Sequence, residues 1–136
     1  MDRRKFLAAS AALIAAGPAL AANGKAYKTG LVEAELAAGK TVFIDFYTDW
    51  CSTCRAQGTK IRKLMAQNPA YEANVSFIKV DWDQHSGSTL ARRLNIPRRS
   101  TLVVLKGDQE LGRIVASTST DKIKALMDTA LAAAIA

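Results

Sequence analysis

A buried-strand pattern that runs directly into two cysteines constrains the fold of this chain more than any other feature. Residues 41–47 are almost all apolar or β-branched, which predicts a central strand covered on both faces. Cys51 and Cys54 follow, three positions apart, where a helical pattern begins. They are the only two cysteines in the sequence, and a bond between them would close a very small loop. The pair therefore indicates redox chemistry more than a structural disulfide.

The beginning of the chain has the three-part layout of an export signal. Basic residues at positions 3–5 precede an alanine- and leucine-rich stretch over residues 7–16. A small-x-small cleavage site follows at Ala19–Ala21. We therefore expect a signal peptide over residues 1–21, cleaved near Ala21, and a periplasmic mature protein with one domain over residues 22–136.

The type of export signal has two interpretations. The sequence Arg3-Arg4-x-Phe6-Leu7 resembles the twin-arginine signal, which exports folded proteins, although Asp2 stands where a serine or threonine is usual. The alternative is a general secretory signal in which the two arginines only supply charge.

Strand and helix signals alternate through the rest of the chain. After a loose segment over residues 23–28, they predict helices at 31–38, 52–67 and 88–94, strands at 75–80, 101–105 and 110–116, and a last helix capped by Thr120-Asp121. The last two strands form a hairpin. This order indicates the α/β class, a three-layer α/β/α sandwich around a mixed central sheet.

In this setting the cysteine motif resembles that of the thioredoxin family. The resemblance rests on Asp45-Phe46-Tyr47-x-Asp49-Trp50-Cys51-x-x-Cys54, and Lys79-Val80-Asp81 and Thr101–Val104 extend it. It implies a thioredoxin-like fold and a thiol–disulfide oxidoreductase with no cofactor beyond a redox-active Cys51–Cys54 disulfide. The sequence Tyr-x-Asp-Trp-Cys is similar to the motif in the outward-facing thioredoxin domain of a membrane thiol–disulfide interchange reductase. This similarity implies protein thiol or disulfide substrates, a membrane electron donor and a reductase more than an oxidase.

The two cysteines are expected to have different roles. Cys51 lies where the helix dipole and free N–H groups favour the thiolate, so it is the expected nucleophile. Cys54, one turn later and more buried, is the expected resolving thiol. Trp50 is expected to flank the nucleophile on the docking surface, with plain packing as the alternative. Ser52 and Thr53 replace the Gly-Pro of thioredoxin itself and are expected to tune the redox potential.

A buried acid and a lysine complete the catalytic set that the resemblance implies. Asp45 lies inside the predicted central strand, where a carboxyl group tends to hold a proton near neutral pH. The family places an acid here as proton acceptor for the resolving cysteine and pairs it with a lysine, which corresponds to Lys79. A purely structural, hydrogen-bonded Asp45 is the alternative.

The sequence departs from the family beside the cysteines. The resemblance places a substrate-binding loop at Arg99, Ser100 and Thr101, and Ser100 stands where the family has a cis-proline. We expect a trans peptide before Ser100 and a hydroxyl beside Cys51. In an alternative alignment, Pro97 takes the proline's place after a three-residue slip. Ala116 falls where the family often has glycine.

Other functions compete with this one. Haem attachment would need a histidine at position 55, and the only histidine, His85, is distant from the cysteines in sequence, so no metal ligands are assigned. A metal or iron–sulfur protein bridged across a dimer stays open, as does a redox-inactive docking or chaperone module. The net charge of +7 is scattered without interleaved aromatics, so no nucleic acid is expected.

Overall fold

The computed structural model describes residues 24–136, so the expected signal peptide over residues 1–21 lies outside the described residues. The strands and helices follow in the order β1 (Lys25–Ala26), α1 (Leu31–Ala37), β2 (Thr41–Tyr47), α2 (Ser52–Gln67), α3 (Ala70–Asn74), β3 (Ser76–Asp81), α4 (Trp82–His85), α5 (Thr89–Arg93), β4 (Thr101–Lys106), β5 (Gln109–Val115) and α6 (Thr120–Ile135). Among these residues no helix is long and apolar enough to cross a membrane.

The five strands form one mixed sheet in the order β1-β3-β2-β4-β5. β2 runs parallel to β3 and antiparallel to β4, and β4 and β5 form the predicted hairpin. Helices cover both faces, so the predicted α/β/α sandwich with a mixed sheet is confirmed.

The central strand β2 is buried because apolar layers pack on both of its faces. Val42, Ile44 and Phe46 belong to the cluster with Val32 of α1 and Leu90 of α5. Phe43 points the other way, into a cluster formed mainly by side chains of α2, α3 and α6, which include Ile61, Leu64, Tyr71, Ile123 and Met127. Side chains alternate along a strand, so Asp45 is on the same face as Phe43 and under α2. β2 thus places the carboxyl group of Asp45 beneath α2, the helix that contains Cys54 and begins at Cys51.

The segment expected to be loose at residues 23–28 contains a short strand instead. Lys25 pairs with Ile78 of β3 in the parallel direction. Gly24 permits this approach, because a Cβ at that position would lie 2.2 Å from the carbonyl oxygen of Phe77 and its φ is +122°. Pairing with β3, which is distant in sequence, therefore forms β1.

Capping side chains set two local boundaries. β3 ends at Asp81 and α4 begins at Trp82, because the Asp81 carboxylate accepts a hydrogen bond from the N–H of Asp83 (2.9 Å). The last helix is capped by Ser119, one residue before the predicted cap, and its hydroxyl accepts from the N–H of Lys122 (3.2 Å).

Candidate active site

Cys51 is the N-cap residue of α2, at the carboxyl end of the loop that follows β2. Its backbone is extended, and its sulfur accepts a hydrogen bond from the N–H of Cys54 at 3.1 Å. Both cysteines are free thiols, and both are only 4% exposed. By exposed area the two cysteines are equally buried, because the loop at Ser100 also packs against Cys51.

The Ser100 hydroxyl contacts both sulfur atoms. Its Oγ lies 3.3 Å from Sγ of Cys51 and 3.0 Å from Sγ of Cys54, and the residue is fully buried. No cis peptide bond occurs among residues 24–136, so the bond before Ser100 is trans as expected. The predicted hydroxyl beside Cys51 is present, and it also contacts Cys54.

The two thiols have opposite tendencies to ionise. Burial disfavours the Cys51 thiolate, but hydrogen bonds from Cys54, Ser100 and Arg99 outweigh burial and lower the Cys51 pKa to about 6. Burial raises the pKa of Cys54, and the bond between its thiol and Cys51 raises it further. At neutral pH, Cys51 is a thiolate and Cys54 holds its proton. Thiol–disulfide exchange requires these two protonation states, a thiolate that attacks and a thiol that resolves the mixed disulfide.

Backbone and side-chain hydrogen bonds hold Ser100 in place. Its N–H donates to the carbonyl of Phe46 (2.7 Å), and its own carbonyl accepts from the N–H of Ala116 (2.8 Å). Nε2 of Gln57 donates to the same Ser100 carbonyl and to that of Ser117, both at 3.0 Å. Ser100 and Ala116 both have positive φ, 66° and 62°, which non-glycine residues adopt at a cost. The hydrogen bonds offset that cost and fix the loop against the cysteines.

Sequence reasoning missed the role of Gln57. The residue lies on the buried stripe of α2 with Cys54 and Ile61, and its side chain has no exposed surface. A polar residue on an otherwise apolar helix face is the signal that could have found it, because a buried amide requires partners.

The structure rejects the alternative alignment through Pro97. Pro97 is exposed, whereas Ser100 comes directly before β4 and contacts both sulfurs. Thr101 is fully buried, and its hydroxyl donates to the carbonyl of Arg98 (2.7 Å), so its side chain supports the loop.

Asp45 and Lys79 lie side by side on β2 and β3, in direct register. Asp45 is 2% exposed. Both residues and Cys54 line one pocket of about 250 Å³, together with Arg55 and Arg62. The ammonium of Lys79 lies 4.0 Å from the centre of the Tyr47 ring. The pocket thus connects the resolving thiol with a buried acid.

The Trp50 side chain is exposed at the surface next to the cysteines. It is 59% exposed, so the alternative of plain core packing does not hold. Its Nε1 donates to a carboxylate oxygen of Asp83 (2.9 Å), and the guanidinium of Arg99 lies 4.3 Å from the ring centre. Between the cysteines, Ser52 is exposed and Thr53 half-buried, within the first turn of α2.

Comparisons with known proteins agree with this geometry. The family model named Thioredoxin matches residues 21–129. Thioredoxin H-type of Brassica campestris is 29% identical over 129 residues, which cover 94% of this chain and 100% of the relative. The mitochondrial thioredoxin-2 of Schizosaccharomyces pombe is 35% identical over 80 residues, 59% of this chain and 56% of the relative.

Solved structures show the same likeness. The short form of thioredoxin F from spinach chloroplast superposes with a TM-score of 0.64 at 29% identity and covers 83% of this chain and 97% of that one. Trxlp from Edwardsiella tarda gives a TM-score of 0.63 at 26% identity, with 74% and 94% covered.

Fold and site together define a thiol–disulfide oxidoreductase, because a thiolate and a protonated thiol lie three residues apart at a helix start. The family model covers most of the chain, and the chain belongs to the thioredoxin family. Proteins of this family act on protein thiols and disulfides.

Proposed function

We propose that this protein is an exported, periplasmic thiol–disulfide oxidoreductase that works as a reductase of protein disulfides. The observation that carries the proposal is the position of Cys51 at the start of α2, where its sulfur accepts from the N–H of Cys54 and its pKa is lowered to about 6. The corresponding pKa is about 7 in thioredoxin and about 3.5 in a strongly oxidising periplasmic oxidase. A very stable thiolate favours the reduced form of the protein, which makes the disulfide form a strong oxidant. The Cys51 pKa is lowered less than in such an oxidase, and this supports a reductase.

Reduction proceeds in two exchanges. The Cys51 thiolate attacks one sulfur of the substrate disulfide, a bond forms between them, and the other substrate sulfur leaves with the electron pair. Cys54 then loses its proton and attacks the sulfur of Cys51. The Cys51–Cys54 bond forms, and the second substrate sulfur leaves. The substrate gains two electrons, and the dithiol of the protein is oxidised to a disulfide.

Asp45 is assigned the role of proton acceptor for Cys54. The support is their shared pocket and the burial of the carboxyl group in β2. Lys79, next to Asp45 in the sheet register, is assigned to control the charge of that pocket.

The substrate is assigned to the surface around Trp50 and Arg99, and Ser100 and Thr101, whose side chains are buried, are assigned to support the loop at that surface. The exposed Trp50 ring and the guanidinium above it offer an apolar and a cationic contact beside Cys51. Ser52 and Thr53 are assigned to redox tuning, because they lie in the turn whose N–H groups face the thiolate.

Substitution of each cysteine tests this function. Cys51→Ser removes the nucleophile and is expected to abolish insulin reduction by the full chain. Cys54→Ser keeps the nucleophile but cannot resolve, so it is expected to accumulate a covalent complex with substrate proteins through Cys51. Retained insulin reduction by Cys51→Ser would contradict the proposal.

Export and the electron donor need a separate test. Residues 1–21 are the proposed signal peptide, and a membrane thiol–disulfide protein is the proposed donor that returns Cys51 and Cys54 to the dithiol. Replacement of Arg3 and Arg4 by lysine is expected to retain the protein in the cytoplasm if the signal is of the twin-arginine type. Unchanged fractionation of that variant would favour the general secretory route.

A metal-binding alternative gains no support from the described part of the chain. Across residues 24–136, no three histidine, cysteine, aspartate or glutamate side chains lie close enough together to hold a metal ion. Only a site shared between two copies of the chain would supply enough cysteine ligands.

A further inference from the structure

Arg99 carries a positive charge beside the nucleophile, at a place where the two loops around Cys51 meet. It precedes Ser100, whose hydroxyl lies 3.3 Å from the Cys51 sulfur. Its guanidinium lies 4.3 Å from the centre of the ring of Trp50, the residue before Cys51. The guanidinium therefore lies at the rim of the site, where the Trp50 ring is exposed to an approaching substrate.

The Trp50 ring holds this guanidinium in a defined place. The ring edge is fixed, because its Nε1 donates to a carboxylate oxygen of Asp83 at 2.9 Å. The guanidinium of Arg99 lies over the ring face instead, which is a favourable position for a planar cation. Stacking uses the flat face of the guanidinium and leaves the N–H groups at its edge able to donate. The cation is thus preorganised for a ligand that accepts hydrogen bonds.

Arg99 forms no ion pair with a carboxylate in the part of the chain that the structure describes, where the ion pairs join other residues. The guanidinium instead stabilises the Cys51 thiolate and helps to lower the Cys51 pKa. That negative charge disappears when Cys51 bonds to a substrate sulfur. In the mixed disulfide, Arg99 therefore has N–H groups available for an anionic group of the substrate.

Exposed apolar side chains border this charge. Trp50 and Val115 are two of the three large hydrophobic residues that are exposed within residues 24–136. Val115 is paired in the sheet with Thr101, two residues after Arg99. An apolar surface with a fixed cation beside it suits a protein segment that presents an apolar side chain together with an acid.

We propose that Arg99 determines substrate specificity, and that this protein preferentially reduces protein disulfides in which an aspartate or glutamate lies beside a cysteine. This rests on the proposed function. The planar fork of a guanidinium can donate two parallel hydrogen bonds to a carboxylate. The acid lies close to the substrate cysteine, because Arg99 and the Cys51 sulfur are held on adjoining loops. The bonds exchanged at Cys51 and Cys54 are the same for every substrate, so Arg99 selects among substrates.

Arg99 acts on the thiolate as well, so the test compares substrates and not absolute rates. A change in the Cys51 thiolate affects every disulfide alike, whereas a contact with the substrate affects only the disulfide that carries the acid. Three cyclic peptide disulfides are identical except for one residue next to a cysteine, which is glutamate, glutamine or lysine. The reduced full chain is mixed with excess peptide, and its oxidation is followed by acid quench, alkylation and mass spectrometry. Each rate is divided by the rate of the same peptide with dithiothreitol, which removes the peptide's own reactivity.

The wild-type chain is expected to reduce the glutamate peptide about three- to five-fold faster than the glutamine peptide, and the lysine peptide more slowly than both. High salt is expected to weaken this preference. Arg99→Gln is expected to bring the ratio of the glutamate to the glutamine peptide to about one, and Arg99→Glu to reverse the preference in favour of lysine. Arg92→Gln, which removes an exposed arginine of α5, is the matched control and is expected to keep the wild-type ratio.

The outcomes separate this specificity from the proposed function. A wild-type ratio near one, or a ratio that Arg99→Gln leaves unchanged, would overturn the proposal while leaving exchange at Cys51 intact. A chain that reduces none of the three peptides would instead overturn the proposed function. If Arg99→Gln does not fold, Arg99→Met decides, because it keeps an apolar side chain on the Trp50 ring and removes the charge. An unchanged glutamate preference in Arg99→Met would equally overturn the proposal.

Discussion

Gln57 donates a hydrogen bond to the carbonyl oxygen of Ser100, 3.0 Å away, from a side chain with no exposed surface. A second hydrogen bond from the same nitrogen reaches the carbonyl of Ser117, also at 3.0 Å. One amide of the cysteine helix thus joins the two loops that contain Ser100 and Ala116, the residues with positive φ at the site. Positioning of the Ser100 hydroxyl depends on this amide.

Gln57→Leu is expected to lower the free energy of unfolding by about 1–3 kcal/mol, because it removes the side-chain donor to the buried Ser100 and the half-buried Ser117. It is also expected to raise the Cys51 pKa, since the Ser100 loop is less firmly held. Denaturant unfolding and the pH dependence of alkylation measure the two effects.

The matched control for this variant is Gln67→Leu, at the exposed end of the same helix. It is expected to change the unfolding free energy by less than about 0.5 kcal/mol. If the two variants unfolded alike, Gln57 would not hold the loops.

The pH dependence of Cys51 alkylation tests the electrostatics of the site. Because the Cys51 pKa is lowered to about 6, the rate of reaction of the reduced protein with iodoacetamide is expected to be half-maximal near pH 6. It should fall about ten-fold for each pH unit below that, as the thiolate is protonated. Ser100→Ala removes one donor to the thiolate, so its midpoint is expected to be higher. A wild-type midpoint near the ordinary thiol value of about 8.5 would contradict the assigned hydrogen bonds.

Trp50→Ala is expected to impair the reduction of proteins more than that of small disulfides. The exposed ring and Arg99 offer contact area to a protein partner, and the loss of an exposed aromatic anchor costs about 1 kcal/mol or more. We expect KM for a protein disulfide to rise about five-fold, with little change for glutathione disulfide. Ile135→Ala, at an exposed position at the end of α6, is the control. A similar loss toward both substrates would show that Trp50 acts on the chemistry and not on docking.

The fold was predictable wherever local sequence pattern and tertiary burial agree. The run from Thr41 to Tyr47 forms β2 with the predicted bounds, because both of its faces are covered and its residues favour strands. Ala70–Asn74, which forms α3, had no predicted structure and is only five residues long. The short β1 could not be predicted, because its pairing with β3 is not encoded in its own two residues.

The site was predictable where the family resemblance supplied the geometry. Cys54, Asp45 and Lys79 line one pocket, and Cys51 lies beside Cys54 at the start of α2. The double contact of Ser100 was not predictable, because it depends on how a loop 46 residues after Cys54 folds back onto both sulfurs. Only the three-dimensional structure brings that hydroxyl and Gln57 to the same place.

The reduction potential of the Cys51–Cys54 couple decides whether this protein reduces or oxidises its substrates. The full chain is equilibrated with thiol–disulfide buffers of known potential, and the fraction of reduced cysteines is counted by mass after alkylation. We expect a reversible two-electron couple near the thioredoxin value, about −270 mV. A couple near −120 mV would mark an oxidase, and the absence of any reversible Cys51–Cys54 disulfide would contradict the assignment of this site altogether.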